Sequence, residues 1–142
     1  MAPLAVPGRI RAMDYPLKSI KSGEQEIAGI WVSIGFSSAG REFDVLHIVG
    51  GEETDPRRIQ LGMVPIYLER YDQMLSCYQG ADKILIEDGS VTVTLNKIGQ
   101  DALDLPETLH FVSGRTDEDF QKARNIFTKM KTFKSGRIIH VV

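Results

Sequence analysis

The sequence predicts an α+β fold: a mainly antiparallel sheet of about five to seven strands, with one long amphipathic helix near the carboxyl end packed on it. Three observations carry that expectation. Apolar residues recur with period two in several short segments, and "ADKILIEDGSVTVTLN" folds back on itself at Asp88-Gly89. Phe120, Ala123, Phe127 and Met130 repeat at the spacing of one helix face. With 142 residues, 42% of them hydrophobic and 25% charged, the chain has the make-up of an ordinary globular protein that buries a core without a metal or a disulfide.

Taken in order, residues 1–26 carry three prolines and little periodicity, so they read as an extended amino-terminal arm with a short strand around Tyr15 to Ile20. A single α+β domain is expected over 27–142. Ile30, Val32, Ile34 and Phe36 alternate with Trp31, Ser33 and Gly35, the pattern of a half-buried strand, and "SSAGRE" makes the following turn. In "FDVLHIVGG" Phe43, Val45, His47 and Val49 share one face and Leu46 and Ile48 the other, which suggests a central strand. "GGEETDPRRIQLG" reads as a loop with one helical turn. "VPIYLER" is the next strand, and Pro65 places it at a sheet edge or at the start of a strand.

After the hairpin, "KIGQDALDLPET" predicts a short helix or turn ended before Pro106, and "LHFVSG" a strand. Thr116 is positioned to cap the long helix, with Asp117, Glu118 and Asp119 at the positive end of its dipole. "SGRIIHVV" adds a last strand once Gly136 has stopped the helix.

Net charge is −2, without the basic surplus of a nucleic-acid binder, and neither nucleic acid nor membrane is expected as a partner. The charge is unevenly placed. Residues 41–90 hold five Lys or Arg against ten Asp or Glu, whereas residues 115–142 hold seven basic against three acidic. The single cysteine allows no internal disulfide and the amino terminus lacks the form of a secretory signal, so a cytoplasmic location is expected.

No complete catalytic or metal-binding signature is present, and no cofactor, metal or catalytic residue is assigned. There is no H-x-H, C-x-x-C or H-E-x-x-H, and "GFSSAG" departs from a nucleophile elbow at Ala39. What remains is a cluster of tyrosines and carboxylates. Tyr67 and Glu69 share a strand face opposite Ile66 and Leu68, with Asp72 and Tyr78 close behind, and this combination suits a partner-binding surface. Two alternatives stay open: a small-molecule-binding or hydrolytic domain using Cys77 with His47 or His110, and a structural homo-oligomer paired through the Pro65 strand edge.

"LGMVPIYLERYDQMLSCYQGADKILIEDGSVTVTL", followed by "LDLPETLHF" and "TDEDFQKARNIF", resembles the immunity protein 10 family over roughly residues 27 to 131. The residues that carry the resemblance are Leu61, Gly62 and Met63, then Tyr67 and Glu69, then Tyr78 and Gly80. Gln79 stands where the family pattern has the first glycine of a turn, and "FKSGRIIHVV" extends the chain beyond the helix. The resemblance implies a cytoplasmic bacterial immunity protein that is not an enzyme. It would bind the toxin module of a polymorphic toxin system and neutralise it by occlusion. An acidic middle segment would suit a basic toxin such as a nuclease.

Overall fold

The computed structural model describes residues 12–25, 29–71, 74–113 and 117–142. Alternation drives the first strands. β1 (Ala12–Gln25), β2 (Gly29–Ser38) and β3 (Arg41–Gly50) form an antiparallel meander, with Ile30, Val32, Ile34 and Phe36 of β2 and Leu46 and Ile48 of β3 buried on one face. Asp55 caps the short helix α1 (Pro56–Gln60), and β4 (Tyr67–Arg70) and β5 (Ser76–Tyr78) complete this half of the sheet. β6 (Ala81–Glu87) and β7 (Ser90–Leu95) form the expected hairpin, with Gly89 at φ 75° in its turn. Asn96 caps α2 (Lys97–Leu103), and β8 (Thr108–Val112), α3 (Glu118–Met130) and β9 (Ile139–Val141) follow.

The nine strands lie in the order β5-β4-β3-β2-β1-β8-β7-β6-β9. The sheet is larger than the five to seven strands expected, and it is mixed: β1 pairs with β8, and β6 with β9, in parallel. Local patterning cannot reveal either pairing, because each joins segments far apart in sequence.

The short strand expected around Tyr15 to Ile20, within an extended arm, is part of a longer strand, residues 12–25, at the centre of this sheet; residues 1–11 lie outside the described part. Residues 12–16 of β1 pair with β8 and residues 17–25 with β2, so β1 belongs to both halves. A register shift between Leu17 and Ser19 changes which parity faces inward, from Tyr15 and Leu17 to Ile20. That bulge hides the alternation on which a sequence reading depends. At the junction Phe36 meets Tyr15 at 4.9 Å and Phe111 at 5.0 Å between ring centroids, edge to face.

Helix α3 buries Phe120, Ala123, Phe127 and Met130, the predicted stripe, against the inward face of β1 and β2 and against β9. Its cap is Asp117, whose carboxylate accepts from Phe120 N; Thr116 lies outside the described residues. The helix ends at Met130, well before Gly136, which instead sits in the 3-10 turn Lys134–Ile138. A Cβ on Gly136 would stand 1.9 Å from the Met130 carbonyl oxygen, so glycine lets the chain fold back over the helix end. Pro65 stands just before the start of β4, one of the two places expected for it, and not at a sheet edge: β5 covers the outer side of β4, and Gln79 N donates to Ile66 O at 2.9 Å. The self-pairing alternative loses its geometric basis there. β3 is internal, as expected, yet Phe43 and Val45 are exposed; apolar residues occupy both its faces because one face stays open.

Among the described residues, no helix is long and apolar enough to cross a membrane.

Candidate functional site

Helices α2 and α3 and the apolar core lie on the inward face of β1–β5, and among the described residues the opposite face is only partly covered. Strand pairing sorts its side chains into rows, since residues directly opposite one another point the same way. One row runs Gly23, Trp31, Val49, Tyr67, Tyr78 across five strands and is aromatic and apolar. The next row runs Lys21, Ser33, His47, Glu69, Ser76 and is polar. Period-two alternation predicts the membership of each strand; the register that builds the rows depends on turns and bulges.

In the aromatic row, Tyr67 and Tyr78 lie 4.9 Å apart between ring centroids, and Trp31 lies 5.7 Å from the His47 ring beside it. The Tyr67 hydroxyl donates to Glu69 Oε1 at 2.7 Å, joining the two rows. Partial burial, reinforced by the Glu69 carboxylate, pushes the Tyr67 phenol above its ordinary pKa. Ser33 Oγ hydrogen-bonds His47 Nδ1 at 2.5 Å. Burial lowers the His47 pKa below its ordinary value, against the opposing charge of Glu69.

The face continues past Val45 to the exposed Phe43, over which Lys18 sits at 4.6 Å, and Arg41 stacks on Tyr71 at 4.3 Å.

Beside the tyrosine pair, the loop after β3 and helix α1 raise one wall of a cleft of about 440 Å³, lined by Val49, Glu52, Glu53, Arg58, Tyr67 and Tyr78 among others. Arg58 Nη2 donates to the Tyr78 hydroxyl at 3.2 Å, and its Nε donates to Glu53. The hydrogen bond from Arg58 leads the effects that hold the Glu53 carboxyl below its usual range. Neither Arg58 nor Glu53 was signalled by the sequence, because the Arg58–Tyr78 contact spans 20 residues and follows from how α1 lies against β5.

The structure thus brings together Tyr67, Glu69 and Tyr78; Asp72 lies outside the described residues. It does not bring together the alternative set. Cys77 pairs with Leu68 and turns inward toward the core, on the opposite side of the sheet from His47, while His110 lies on β8 bonded to Asp14 at 3.0 Å. Burial raises the Cys77 thiol pKa, which is the reverse of what a nucleophile requires. Among the described residues no three His, Cys, Asp or Glu side chains converge as a metal site.

No curated protein and no solved structure matches this chain. A family model described as Immunity protein 10 matches residues 21–121, from the second half of β1 into the first turns of α3, and so takes in every strand of the open face and the cleft beside it. The chain therefore belongs to the Immunity protein 10 family, and its general function is toxin immunity.

Proposed function

We propose that the protein neutralises its toxin by occlusion, laying the open face of β2–β5 over the toxin's active surface. The observation that carries this reading is the aligned row Trp31, Val49, Tyr67 and Tyr78, an apolar and aromatic strip that stays half-exposed among the described residues, on the side of the sheet opposite the buried core. Rigid aromatic side chains on a flat sheet supply contact area at little entropic cost, and they are the usual anchors of tight interfaces. Tyr67, Glu69 and Tyr78 are the anchors, with Asp72 next to them in sequence. Their role is to bind; no step of chemistry is assigned to them, and the site operates without cofactor in the bacterial cytoplasm. Glu52, Glu53 and Glu69 beside the strip favour a toxin with a basic surface, as a nuclease has.

The test is capture of the toxin by tagged protein from an extract of the source organism under high salt, followed by affinity measurement with the purified toxin domain. Tyr78→Ala and Glu69→Gln should each weaken the complex by about ten- to a hundredfold while the far-ultraviolet circular dichroism stays unchanged. Full retention of affinity in both variants would remove this face as the docking surface.

A further inference from the structure

We propose that the cleft between loop 51–55, α1 and the Tyr67–Tyr78 pair is a receptor for a guanidinium side chain of the toxin, occupied in the free protein by the chain's own Arg58. The inference deepens the docking reading above and rests on it for the identity of the biological ligand.

The contacts of Arg58 are those a receptor would make. Its Nε bonds the Glu53 carboxylate, its Nη2 bonds the Tyr78 hydroxyl at 3.2 Å, and the Tyr67 ring lines the same cleft as the Tyr78 ring 4.9 Å away. A carboxylate to receive a charge-assisted bond and phenol rings to contact a flat cation are the two features that favour arginine over lysine. Glu52 adds a second carboxylate to the wall, so the lining keeps a negative surplus even with Arg58 present.

The resident is weakly held by everything else. Helix α1 buries none of its residues, and Ile59 and Leu61 beside Arg58 are 48% and 70% exposed. Its attachment to the sheet therefore depends heavily on Arg58 itself. Tyr78, by contrast, is held by its pairing in β5, while Glu53 lies in the loop between β3 and α1, where its carboxylate also accepts from Asp55 N at 3.4 Å. The tyrosine side of the receptor is held by the sheet and its occupant comes from a helix that buries none of its residues, the arrangement in which an incoming guanidinium displaces the Arg58 side chain from Glu53 and Tyr78.

Competition makes a prediction opposite to that of a simple contact residue. If Arg58 fills the cleft most of the time, the apparent affinity for an external guanidinium is reduced by the fraction of molecules left open, so removing Arg58 should raise it about tenfold. The experiment is a nuclear magnetic resonance titration of the full chain with N-acetyl-arginine amide, using N-acetyl-citrulline amide as an uncharged control of the same shape.

In Arg58→Ala, saturable shifts at Val49, Glu53, Tyr67 and Tyr78 are expected at about one tenth of the concentration needed by the wild type, with none from citrulline. Adding Glu53→Gln to Arg58→Ala should abolish them. Equal responses of wild type and Arg58→Ala, or shifts scattered away from these residues, would overturn the receptor. Should Arg58→Ala disturb the fold, Arg58→Gln is the second variant: it keeps most of the side-chain stem, removes the cation and leaves every receptor group in place, so it should likewise strengthen the arginine response, and an unchanged response would count against the proposal.

The titration uses no toxin. Arginine binding without any effect of the Tyr78→Ala and Glu69→Gln variants on the toxin would keep a guanidinium-binding cleft but discard both the occlusion face and the toxin as the ligand of the cleft.

Discussion

Arg70 and Asp44 form a buried ion pair that ties the open face to the far side of the molecule. Arg70 Nη2 lies 2.8 Å and Nε 3.0 Å from Asp44 Oδ2, while Nη1 donates to the carbonyls of Leu103 and Asp104 at 2.9 and 2.8 Å. Asp44 is fully buried and also accepts from Ser38 Oγ and Val45 N. One guanidinium therefore joins β3, β4 and the end of α2, and every Asp44 oxygen has a donor.

Breaking this pair from either side strands a buried charge. Asp44→Asn and Arg70→Met should each lower unfolding stability by about 3–5 kcal/mol in urea denaturation. Burial by itself would raise the Asp44 pKa, but the bonds from Arg70 and Ser38 outweigh it and hold the carboxyl below its usual value. A depressed carboxylate contributes stability that is complete above its unfolded pKa of about 3.9 and is lost as pH falls through the lower folded value. Acid unfolding of the wild type should steepen in that window, and Asp44→Asn should lack this component.

His47 gives a second, separate pH dependence. Its pKa is depressed mainly by burial, so the folded protein prefers the neutral ring, and stability should decline as pH falls below the unfolded value of about 6.5. Glu69 acts against the depression. Glu69→Gln should therefore lower the His47 pKa further, as read from its ring proton shifts; a rise would contradict the assignment of Glu69 as its charged neighbour.

Gln79 holds a left-handed backbone at φ 56°, a conformation that favours glycine. A residue with a Cβ costs roughly 1–2 kcal/mol there, partly offset by the entropy glycine loses on folding. Gln79→Gly should stabilise the protein by about 0.5–1 kcal/mol, visible as a higher denaturation midpoint with an unchanged slope.

Cys77 packs inward next to Gly80, with its thiol pKa raised by burial. It should resist iodoacetamide in the native state and become alkylated only in denaturant, as followed by intact mass. Rapid native labelling would show an exposed thiolate.

The elements legible in the sequence are those whose pattern is complete within one segment. The Asp88-Gly89 hairpin and the Phe120 to Met130 stripe needed no distant information. The tyrosine strand was placed correctly, with Tyr67 and Glu69 on one face, but not the fact that this face is open, because that depends on which side α3 covers. The short strand expected around Tyr15 to Ile20 is part of β1, but the full length of β1 escaped because its bulge swaps parity between Leu17 and Ile20 and because Pro16 resembles a breaker. Arg58, Glu53 and the Asp44–Arg70 pair were invisible for a different reason: a charged residue in a loop or strand has no signature until its partner is brought to it.

The double membership of β1 also sets an order of assembly. The open face is made from β2, β3, β4 and β5, consecutive strands whose partners are neighbours in sequence, all synthesised by residue 78. Met13 must wait for Leu109, about two thirds of the chain later, before the first strand can seat between the two halves. Such distant closure is the slow part of folding. A truncated chain ending after β5 would thus be expected to display the proposed docking surface before the core beneath it has been sealed.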